Sequence, residues 1–495
     1  MPNCCHSVCK SLVGTALLLT AAPALAGTMS LRLLDRHAAP VVDAIVDLRD
    51  PGTGALVSPV PDTPALDGTL VASVPDGVYE IRLKPDTGTG LAGVLLPARS
   101  TAGAFDLGNI VLPDGHSISA VVVDPFGAPV AGADLDLVDD VTRAKAFTPS
   151  DVTDSFGFVE IVAVPGVYDL FVTPPPASGL ARRRKSDLVL DADVDCGIFA
   201  LKNAIVLSGR VIRASNGLPL ANVDLDASDA FTSERYPISN DDTAADGTFS
   251  VVVPDGHLKI EFSPRQSDRV AGRTVVALGQ VGNLFMGDVT LDPGSLLSGT
   301  IRRSSGTGIL DADVDLYDAM GFLTPTFSDD SGSTGAYSVV GPRSVQDVFV
   351  TPPADVAAQH ALVTGVDLSF DRVLDVTLPN AVATVDVDAI DVGLLPGDRF
   401  DYSLSIRNRS GVARSVLCSV VASIPDRPIS RTLLAPTSVL LPASSTPVPL
   451  GPFGRRVPPT LRPRLRNIPV RVTALIADPG TSATLDFDIA HFTVY

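Results

Sequence analysis

The chain has 495 residues with a formal net charge of −19 at neutral pH, and 45% of its residues are hydrophobic. A single domain usually takes about 100 to 200 residues, so we expect several domains with apolar cores. Trp is absent, while Pro and Gly number 41 each, which together with frequent Val, Leu and Thr favours short strands joined by turns. The acidic charge argues against nucleic acid as a partner.

The N-terminal segment has the pattern of a secretory signal. Residues 1–26 contain one lysine, Lys10, then the apolar run SLVGTALLLTAAPALA, which ends in the A-x-A sequence Ala24-Leu25-Ala26. This order predicts a signal peptide cleaved before Gly27, and hence a secreted protein in the periplasm, at the cell surface or outside the cell. No later stretch reaches the about 18 unbroken apolar residues of a spanning helix, so no transmembrane segment is expected after signal removal.

The cysteines do not predict a disulfide framework. Cys4, Cys5 and Cys9 belong to the predicted signal, which leaves Cys196 and Cys418 far apart in the sequence. An exported protein with so few cysteines depends on its hydrophobic cores, and we expect both thiols to act as small buried apolar groups.

Two markers show that the chain contains a repeat. An aspartate recurs with gaps of 89, 90 and 89 residues, at Asp47, Asp136, Asp226 and Asp315. A glycine recurs with gaps of 89, 90 and 88 residues, at Gly68, Gly157, Gly247 and Gly335. A second aspartate follows the first by three residues in every repeat, at Asp50, Asp139, Asp229 and Asp318. Independent markers with one period indicate four copies of one structural unit.

Each repeat reads as a series of strands. Alternating segments such as SISAVVVD and GFVEIVAV are separated by Gly/Pro turns such as FGAP and NGLP. Period-two alternation with turn residues between the segments is typical of hairpins. Some seven strands in about 89 residues predict a β-sandwich.

The second repeat resembles a known family. Its sequence GAPVAGADLDLVDD, followed by TDSFGFVEIVAVPGVYDLFV, is similar to carboxypeptidase regulatory-like repeats, which have a transthyretin-like (prealbumin-like) sandwich fold. The matching positions are Gly127, Pro129, Gly132, Ala133, Thr153, Asp154, Gly157, Phe158, Pro165, Gly166 and Tyr168. The third repeat matches at Gly217, Pro219, Asp246, Gly247, Phe249 and Pro254. The resemblance covers 28–380 and implies a fold rather than an activity.

The last segment follows a different strand pattern and resembles the immunoglobulin-like modules that often close bacterial extracellular proteins. We therefore predict an all-β chain of tandem β-sandwiches, with four transthyretin-like repeats and one immunoglobulin-like sandwich. After the signal peptide at 1–26, the predicted domains, called modules 1 to 5 below, are 27–115, 116–204, 205–294, 295–381 and 382–495.

Pairs of aspartates on one strand of modules 2 to 4 are the first candidate site: Asp134 and Asp136, Asp224 and Asp226, Asp313 and Asp315. Successive strand side chains point to opposite faces, so each pair shares one face and its apolar neighbours share the other. One interpretation is a solvent-facing acidic surface that discourages association between sheet edges. The other is calcium, which takes about six to eight oxygen ligands, some of them from loops such as SNDDTAAD and SDDSGS.

The charge is unevenly distributed. Module 5 has 12 Arg, 9 Asp, no Lys and no Glu, which gives +3 against −22 for the rest of the chain. Its densest basic patch comprises Arg455, Arg456, Arg462, Arg464 and Arg466. These arginines are either solvated loop charges or a contact surface for an acidic envelope glycan or lipid, or for a protein partner. A second basic stretch, LARRRK, lies in module 2.

The sequence contains no catalytic motif that we recognise. Its six histidines are scattered, and H-x-x-E, H-E-x-x-H and G-x-S-x-G are absent, which argues against a zinc hydrolase or a serine hydrolase. We predict a non-catalytic structural or adhesive protein without a cofactor that presents protein or glycan contacts at the bacterial envelope. The alternative is a carbohydrate-binding or calcium-stabilised accessory module of an extracellular enzyme system, although the absence of Trp disfavours sugar binding. A cleft that gathers His, acids and Ser from several modules would favour an enzyme.

Overall fold

The computed structural model describes residues 26–57, 63–100, 103–388, 392–460 and 465–495, and almost all of its regular structure is β-strand. The strands form separate small sheets, two in each module. This confirms the predicted all-β class and its tandem β-sandwiches. Residues 1–25 of the predicted signal peptide, with its three cysteines, lie outside the described residues. Among the residues described, no helix has the length and apolar character needed to cross a membrane.

In the described parts of modules 1 and 2, each module has six strands in two three-stranded sheets. The sheet orders are β3-β1-β6 and β2-β4-β5 in module 1, and β12-β7-β9 and β11-β10-β8 in module 2. The strands of module 1 are β1 (Ala26–Leu34), β2 (Ala44–Arg49), β3 (Thr69–Pro75), β4 (Val78–Pro85), β5 (Val94–Ser100) and β6 (Phe105–Val111). Those of module 2 are β7 (His116–Val123), β8 (Asp134–Asp139), β9 (Phe158–Ala163), β10 (Gly166–Thr173), β11 (Arg183–Leu190) and β12 (Val194–Ala200).

Modules 3 and 4 repeat this arrangement, and in module 4 the last strand is split into two short pieces. The sheet orders are β15-β13-β18 and β14-β16-β17 in module 3, and in module 4 β20-β22-β23 and β21-β19-β24, with β25 also paired to β19. The strands of module 3 are β13 (Ala204–Arg213), β14 (Asp224–Asp229), β15 (Thr248–Pro254), β16 (Gly256–Ser263), β17 (Arg273–Gln280) and β18 (Leu284–Leu291). Those of module 4 are β19 (Gly294–Arg303), β20 (Asp313–Asp318), β21 (Ala336–Pro342), β22 (Val345–Thr351), β23 (Ala361–Asp367), β24 (Arg372–Val373) and β25 (Val376–Leu378).

Module 5 is a larger sandwich of a three-stranded and a five-stranded sheet, with the orders β26-β28-β31 and β27-β33-β32-β29-β30. Its strands are β26 (Ala383–Asp388), β27 (Val392–Leu394), β28 (Arg399–Asn408), β29 (Arg414–Ile424), β30 (Ile429–Leu441), β31 (Val448–Arg456), β32 (Ile468–Ala477) and β33 (Thr484–Val494). Cys418 is fully buried in this sandwich, whereas Cys196 of module 2 is only half-buried, and both thiols are free.

Modules 2 and 3, which the structure describes throughout, have six strands where the sequence predicted some seven. The segment between β8 and β9 explains the difference, because it pairs with its surroundings only through isolated bridges such as Asp134 to Val152 and Val138 to Lys145. Asp139 ends β8 and holds this segment in a turn. Its Oδ1 accepts a hydrogen bond from the backbone N–H of Thr142 at 2.7 Å and another from the hydroxyl of Thr142 at 2.8 Å. The second recurring aspartate of the repeat is thus a turn residue.

The recurring glycine has a steric cause. All four copies have a positive φ, of 80°, 73°, 77° and 79° in chain order, which glycine adopts without strain. A Cβ at Gly247 would also lie 2.5 Å from the carbonyl oxygen of Val211, and a Cβ at Gly335 would collide with that of Ile301. In modules 1, 3 and 4 the recurring glycine therefore meets a packing requirement between the turn and the first strand of the sandwich.

The contacts divide the described residues into two compact units. The first comprises the described part of Met1–Val122 together with Asp134–Leu170 and Lys185–Phe199. The second comprises Val123–Ala133, Phe171–Arg184 and the described part of Ala200–Tyr495. The division passes through module 2, so the junction with module 1 lies in the first unit and the junction with module 3 lies in the second.

The segment that joins each repeat to the next module makes the same main-chain bond every time. At each junction a backbone N–H donates to a carbonyl oxygen in a turn of the preceding module. The four bonds are Gly115 to Gly90 at 2.8 Å, Ala204 to Gly179 at 2.7 Å, Gly294 to Arg269 at 2.9 Å and Ala381 to Ala357 at 3.1 Å. A second bond runs in the opposite direction at each junction, for example from Ala181 to Lys202 at 3.0 Å. These bonds fix the connection to the body of the preceding module.

Candidate functional site

The aspartate pairs lie on β8, β14 and β20, where the strand alternation divides apolar from acidic side chains. Leu135 and Leu137 are fully buried in module 2, and Val314 and Leu316 are fully buried in module 4. Of the six aspartates, only Asp226 is exposed and the other five are half-buried. The prediction of acids that face open solvent is therefore wrong for five of the six.

The cause is a loop that folds against the acidic face and adds another aspartate. In module 2, the backbone N–H of Leu135 donates to the main-chain carbonyl oxygen of Asp151 at 2.8 Å. One carboxylate oxygen from each of Asp134, Asp136 and Asp151 lies within 4.8 Å of the others. Asp313, Asp315 and Asp329 have the same relation in module 4. In module 3, Asp241 and Asp242 come from the equivalent loop and act on the charge of Asp224.

Crowding of the carboxylates changes their acidity. Burial, with the charges of Asp329 and Asp330, raises the pKa of Asp313 to about 6. Burial, with Asp226 and the two loop aspartates, raises the pKa of Asp224 to about 6. Like charges at short range in a partly desolvated site disfavour ionisation. At neutral pH the carboxylates of each acidic face therefore repel one another.

A lysine already neutralises part of this charge in two repeats. Lys145 forms an ion pair with Asp136 in module 2, and Lys84 forms one with Asp47 in module 1 at 2.7 Å. In module 4 the hydroxyl of Tyr317 lies 3.2 Å from a carboxylate oxygen of Asp315. Three carboxylates offer six oxygens, the lower limit of what calcium takes, and calcium binding stays a prediction.

The predicted basic patch of module 5 divides into two parts. Arg455 and Arg456 are exposed at the end of β31, and Arg466 is exposed shortly before β32. Arg462 and Arg464 lie outside the described residues. Arg455 donates to the carbonyl oxygen of Leu433 at 2.6 Å.

Three aspartates of module 5 pair with residues outside this patch. Asp401 pairs with Arg399 at 2.7 Å and Asp426 pairs with Arg427 at 3.4 Å. Asp486 pairs with His360 of module 4. These three aspartates therefore do not serve as ion-pair partners of Arg455, Arg456 or Arg466, the described arginines of the patch.

The basic stretch of module 2, LARRRK, makes specific contacts at the junction with module 3. The guanidinium carbons of Arg182 and Arg184 lie 5.6 and 5.8 Å from the ring centre of Phe171. Arg183 forms an ion pair with Glu234 of module 3 at 3.0 Å. These arginines contribute to the connection between the two modules as well as to surface charge.

A buried His–Asp pair links modules 4 and 5. His360 precedes β23 and Asp486 lies on β33, and their side chains are 3% and 0% exposed. One Oδ of Asp486 accepts the backbone N–H of His360 at 2.9 Å, the other accepts that of Val385 at 3.0 Å, and the Nδ1 of His360 lies 3.1 Å from the carboxylate. Asp486 thus joins module 4 to two strands of module 5.

The pair is electrostatically coupled to its surroundings. Burial lowers the pKa of His360, but the hydrogen bond and charge of Asp486 outweigh burial, with help from Asp488 and Asp386, and raise it. Burial raises the pKa of Asp488 to about 6 despite the nearby His360. The raised pKa of His360 means that these carboxylates favour its protonated form.

Aromatic side chains extend the contact between modules 3, 4 and 5. Tyr317 stacks on His491 with ring centres 4.5 Å apart, and Phe349 lies 6.1 Å from Phe487. On the side of module 3, the ring of Phe231 meets that of Tyr495 edge-on at 5.6 Å. Module 5 therefore packs against both module 3 and module 4.

A cleft of about 590 Å³ lies where these three modules meet, and the sequence did not predict it. Its lining includes rings and charged groups, among them Tyr317, Phe322, Tyr495, Lys259, Arg273 and Asp318. His491 also lines it, but burial and the charge of Arg471 lower its pKa to about 3. A group with this pKa is a poor general base near neutral pH.

The sequence matches no family model and no curated protein. Its fold is similar to solved bacterial structures, including the TIE protein of Bacillus anthracis, at 10% identity with 72% of this chain and 69% of that one covered and a TM-score of 0.18. A streptococcal ancillary pilin is 13% identical, with 54% and 99% covered and a TM-score of 0.19. The major pilin subunit of Bacillus cereus is 9% identical, with 54% and 100% covered and a TM-score of 0.16. At these values the likeness transfers no function to the present chain.

Proposed function

We propose that this chain is an exported, non-catalytic structural or adhesive protein of the bacterial envelope, in which each β-sandwich is held in fixed contact with the next. The observation that carries this proposal is the main-chain bond repeated at all four junctions. Flexible linkers have no preferred partner, whereas these connections return to the same turn of the preceding module each time. Such junctions suit a protein that must hold its surfaces in register.

The contacts of module 5 support the same function. Its β33 contributes Asp486, Phe487 and His491 to the interface with module 4. Buried polar pairs and aromatic packing of this kind resist separation, because breaking them leaves charged and hydrogen-bonding groups without partners. In this function the exposed arginines of module 5, Arg455, Arg456 and Arg466, belong to a surface that the scaffold presents.

Limited trypsin digestion of the native full-length chain tests the junctions. Lys202 lies in the connection between modules 2 and 3 and bonds to Asp229 at 3.0 Å, so we expect slow cleavage after it. Ala204→Pro removes the N–H that donates to Gly179 and should accelerate cleavage at Lys202, while Ala204→Ser keeps the N–H and should not. Wild-type cleavage at Lys202 as fast as in the unfolded chain would overturn the proposal.

Export is tested separately. The chain is expressed with a C-terminal tag in a bacterium, the cells are fractionated, and the N-terminus of the recovered protein is sequenced. We expect the protein outside the cytoplasm with Gly27 as its first residue. Recovery of the uncleaved chain from the cytoplasm would contradict this part of the proposal.

The cleft favours a second candidate, the binding of a carbohydrate between modules 3, 4 and 5. Phe322 is 38% exposed and offers a ring to a sugar face, while Lys259, Arg273 and Asp318 offer polar contacts around it. Pockets at domain interfaces with an apolar wall and a few polar groups are common ligand sites. Screening the full chain against a glycan array, with Phe322→Ala as the matched variant, distinguishes this function: glycan binding that the variant loses supports it, and no binding refutes it.

A further inference from the structure

At one end of the C-terminal module, where β28, β30 and β32 begin and β29, β31 and β33 end, the described residues leave an opening. The opening forms a groove of about 280 Å³ that reaches the buried core of the sandwich. Core side chains form much of its wall, namely Phe400, Ile424, Leu433, Val457, Phe492 and Val494. The groove therefore offers a mainly apolar surface that is continuous with the interior of the domain.

Three arginines also line this groove, Arg431, Arg455 and Arg456, and all three are exposed. Within the described parts of the chain, no carboxylate lies at ion-pair distance from any of them. Arg455 is held in place by its bonds to the carbonyl oxygens of Leu433 at 2.6 Å and Gly454 at 3.1 Å. The groove thus combines an apolar wall with a cluster of positive charges.

We propose that this groove binds a single-chain anionic lipid, with the acyl chain against the apolar wall and the carboxylate or phosphate head on the arginines. Guanidinium groups pair with such heads through two parallel hydrogen bonds. A peptide would carry main-chain polar groups into an apolar wall, where they are costly without partners, whereas an acyl chain carries none. This inference does not depend on the structural function proposed above.

Calorimetric titration of the full-length chain with decanoate, below its micelle concentration, tests the proposal. Decanol serves as the neutral probe and decyltrimethylammonium as the cationic one. We expect one decanoate per chain, at least ten-fold tighter than either of the other probes, with affinity that falls as salt rises. Lengthening the chain from octanoate to decanoate should tighten binding by about four-fold for each added methylene.

Substitutions test the contacts with the lipid head group and those with the acyl chain separately. Arg455→Gln and Arg456→Gln should each weaken decanoate binding about ten-fold or more and leave decanol binding unchanged. Arg302→Gln replaces an exposed arginine of module 4 and serves as the matched control. Ala422→Leu adds bulk to the groove wall and should abolish the dependence on chain length. Melting curves of each variant show whether it is folded, and Arg431→Gln replaces any variant that is not.

Three results would overturn the proposal. Equal affinity for decanoate and decanol would show that the arginines do not bind the anionic head group. Equal weakening by Arg302→Gln would show general charge attraction to the surface. A concentration-dependent dimer that decanoate does not dissociate would show that a second copy of the chain occupies the groove.

Discussion

Replacing Asp486 by alanine should be among the most damaging single substitutions at the contact between modules 4 and 5. The change removes the acceptor of two backbone N–H groups, those of His360 and Val385, and leaves the buried His360 ring without its carboxylate. An unsatisfied buried donor costs about 1 to 3 kcal/mol, and removal of one partner of a buried ion pair costs about 3 to 5 kcal/mol. Since these terms overlap, we expect a loss of about 3 to 5 kcal/mol in the free energy of unfolding.

Differential scanning calorimetry of the full-length chain measures this loss. The transition that includes module 5 should move down by more than about 10 °C, because about 1 kcal/mol corresponds to about 4 to 8 °C for a domain of this size. Asp401→Ala is the matched control, since Asp401 pairs with Arg399 on the exposed surface of the same module and such pairs contribute about 0 to 1 kcal/mol. A loss below about 1 kcal/mol for Asp486→Ala would refute the view that this pair holds the modules together.

The remaining predictions concern pH and steric fit. Because the pKa of His360 is raised in the folded state, its stabilising contribution is complete below the unfolded pKa of about 6.5. It is lost as pH rises through the folded value, so the melting temperature of the module 5 transition should fall as pH rises above about 6.5 in calorimetry, and His360→Gln should flatten this dependence. Because the pKa of Asp313 is raised to about 6, its charge destabilises the fold above that pH. Asp313→Asn should therefore raise stability at pH 7.5 by about 1 to 3 kcal/mol and have no effect below the unfolded pKa of about 4; a variant that is less stable than wild type only when calcium is present would indicate a calcium site instead. Gly247→Ala should cost more than about 2 kcal/mol, measured by denaturant unfolding, whereas Gly217→Ala, also at positive φ but with open space around it, should cost about 1 kcal/mol; equal costs would contradict the steric argument.

The sequence predicted the parts of this fold that depend on local chemistry. Strand alternation places Leu135 and Leu137 in the core, and the glycine marker identifies a turn that only glycine fits. The six-strand count differs from the prediction because aspartate-capped turns replace a strand, which alternation does not reveal. The acidic pairs were found, but their burial depends on a loop whose path the sequence pattern does not give.

The sequence did not predict the residues at the contact between modules 4 and 5, because these residues are far apart in the sequence. His360 and Asp486 are 126 residues apart, and each looks ordinary in its own segment. One signal was nevertheless present in β33, whose sequence FDIAHFTV is apolar at both odd and even positions. A strand of this kind is covered on both faces, and in the structure Phe492 faces the core of module 5 while Ile489 packs with Tyr317 and Phe349 of module 4.

Two glycines outside the repeat pattern show how closely modules 3, 4 and 5 are fitted. Neither Gly272 nor Gly393 has a positive φ, so neither serves a left-handed turn. A Cβ at Gly272 would collide with the carbonyl oxygen of Pro325 in module 4, and a Cβ at Gly393 would collide with that of Ala230 in module 3. Backbone-to-backbone approach this close fixes a distance more tightly than side-chain packing does, because there is no rotamer to adjust. Glycine at these two positions therefore serves contacts between modules, just as Gly68, Gly247 and Gly335 of the repeat serve contacts within them.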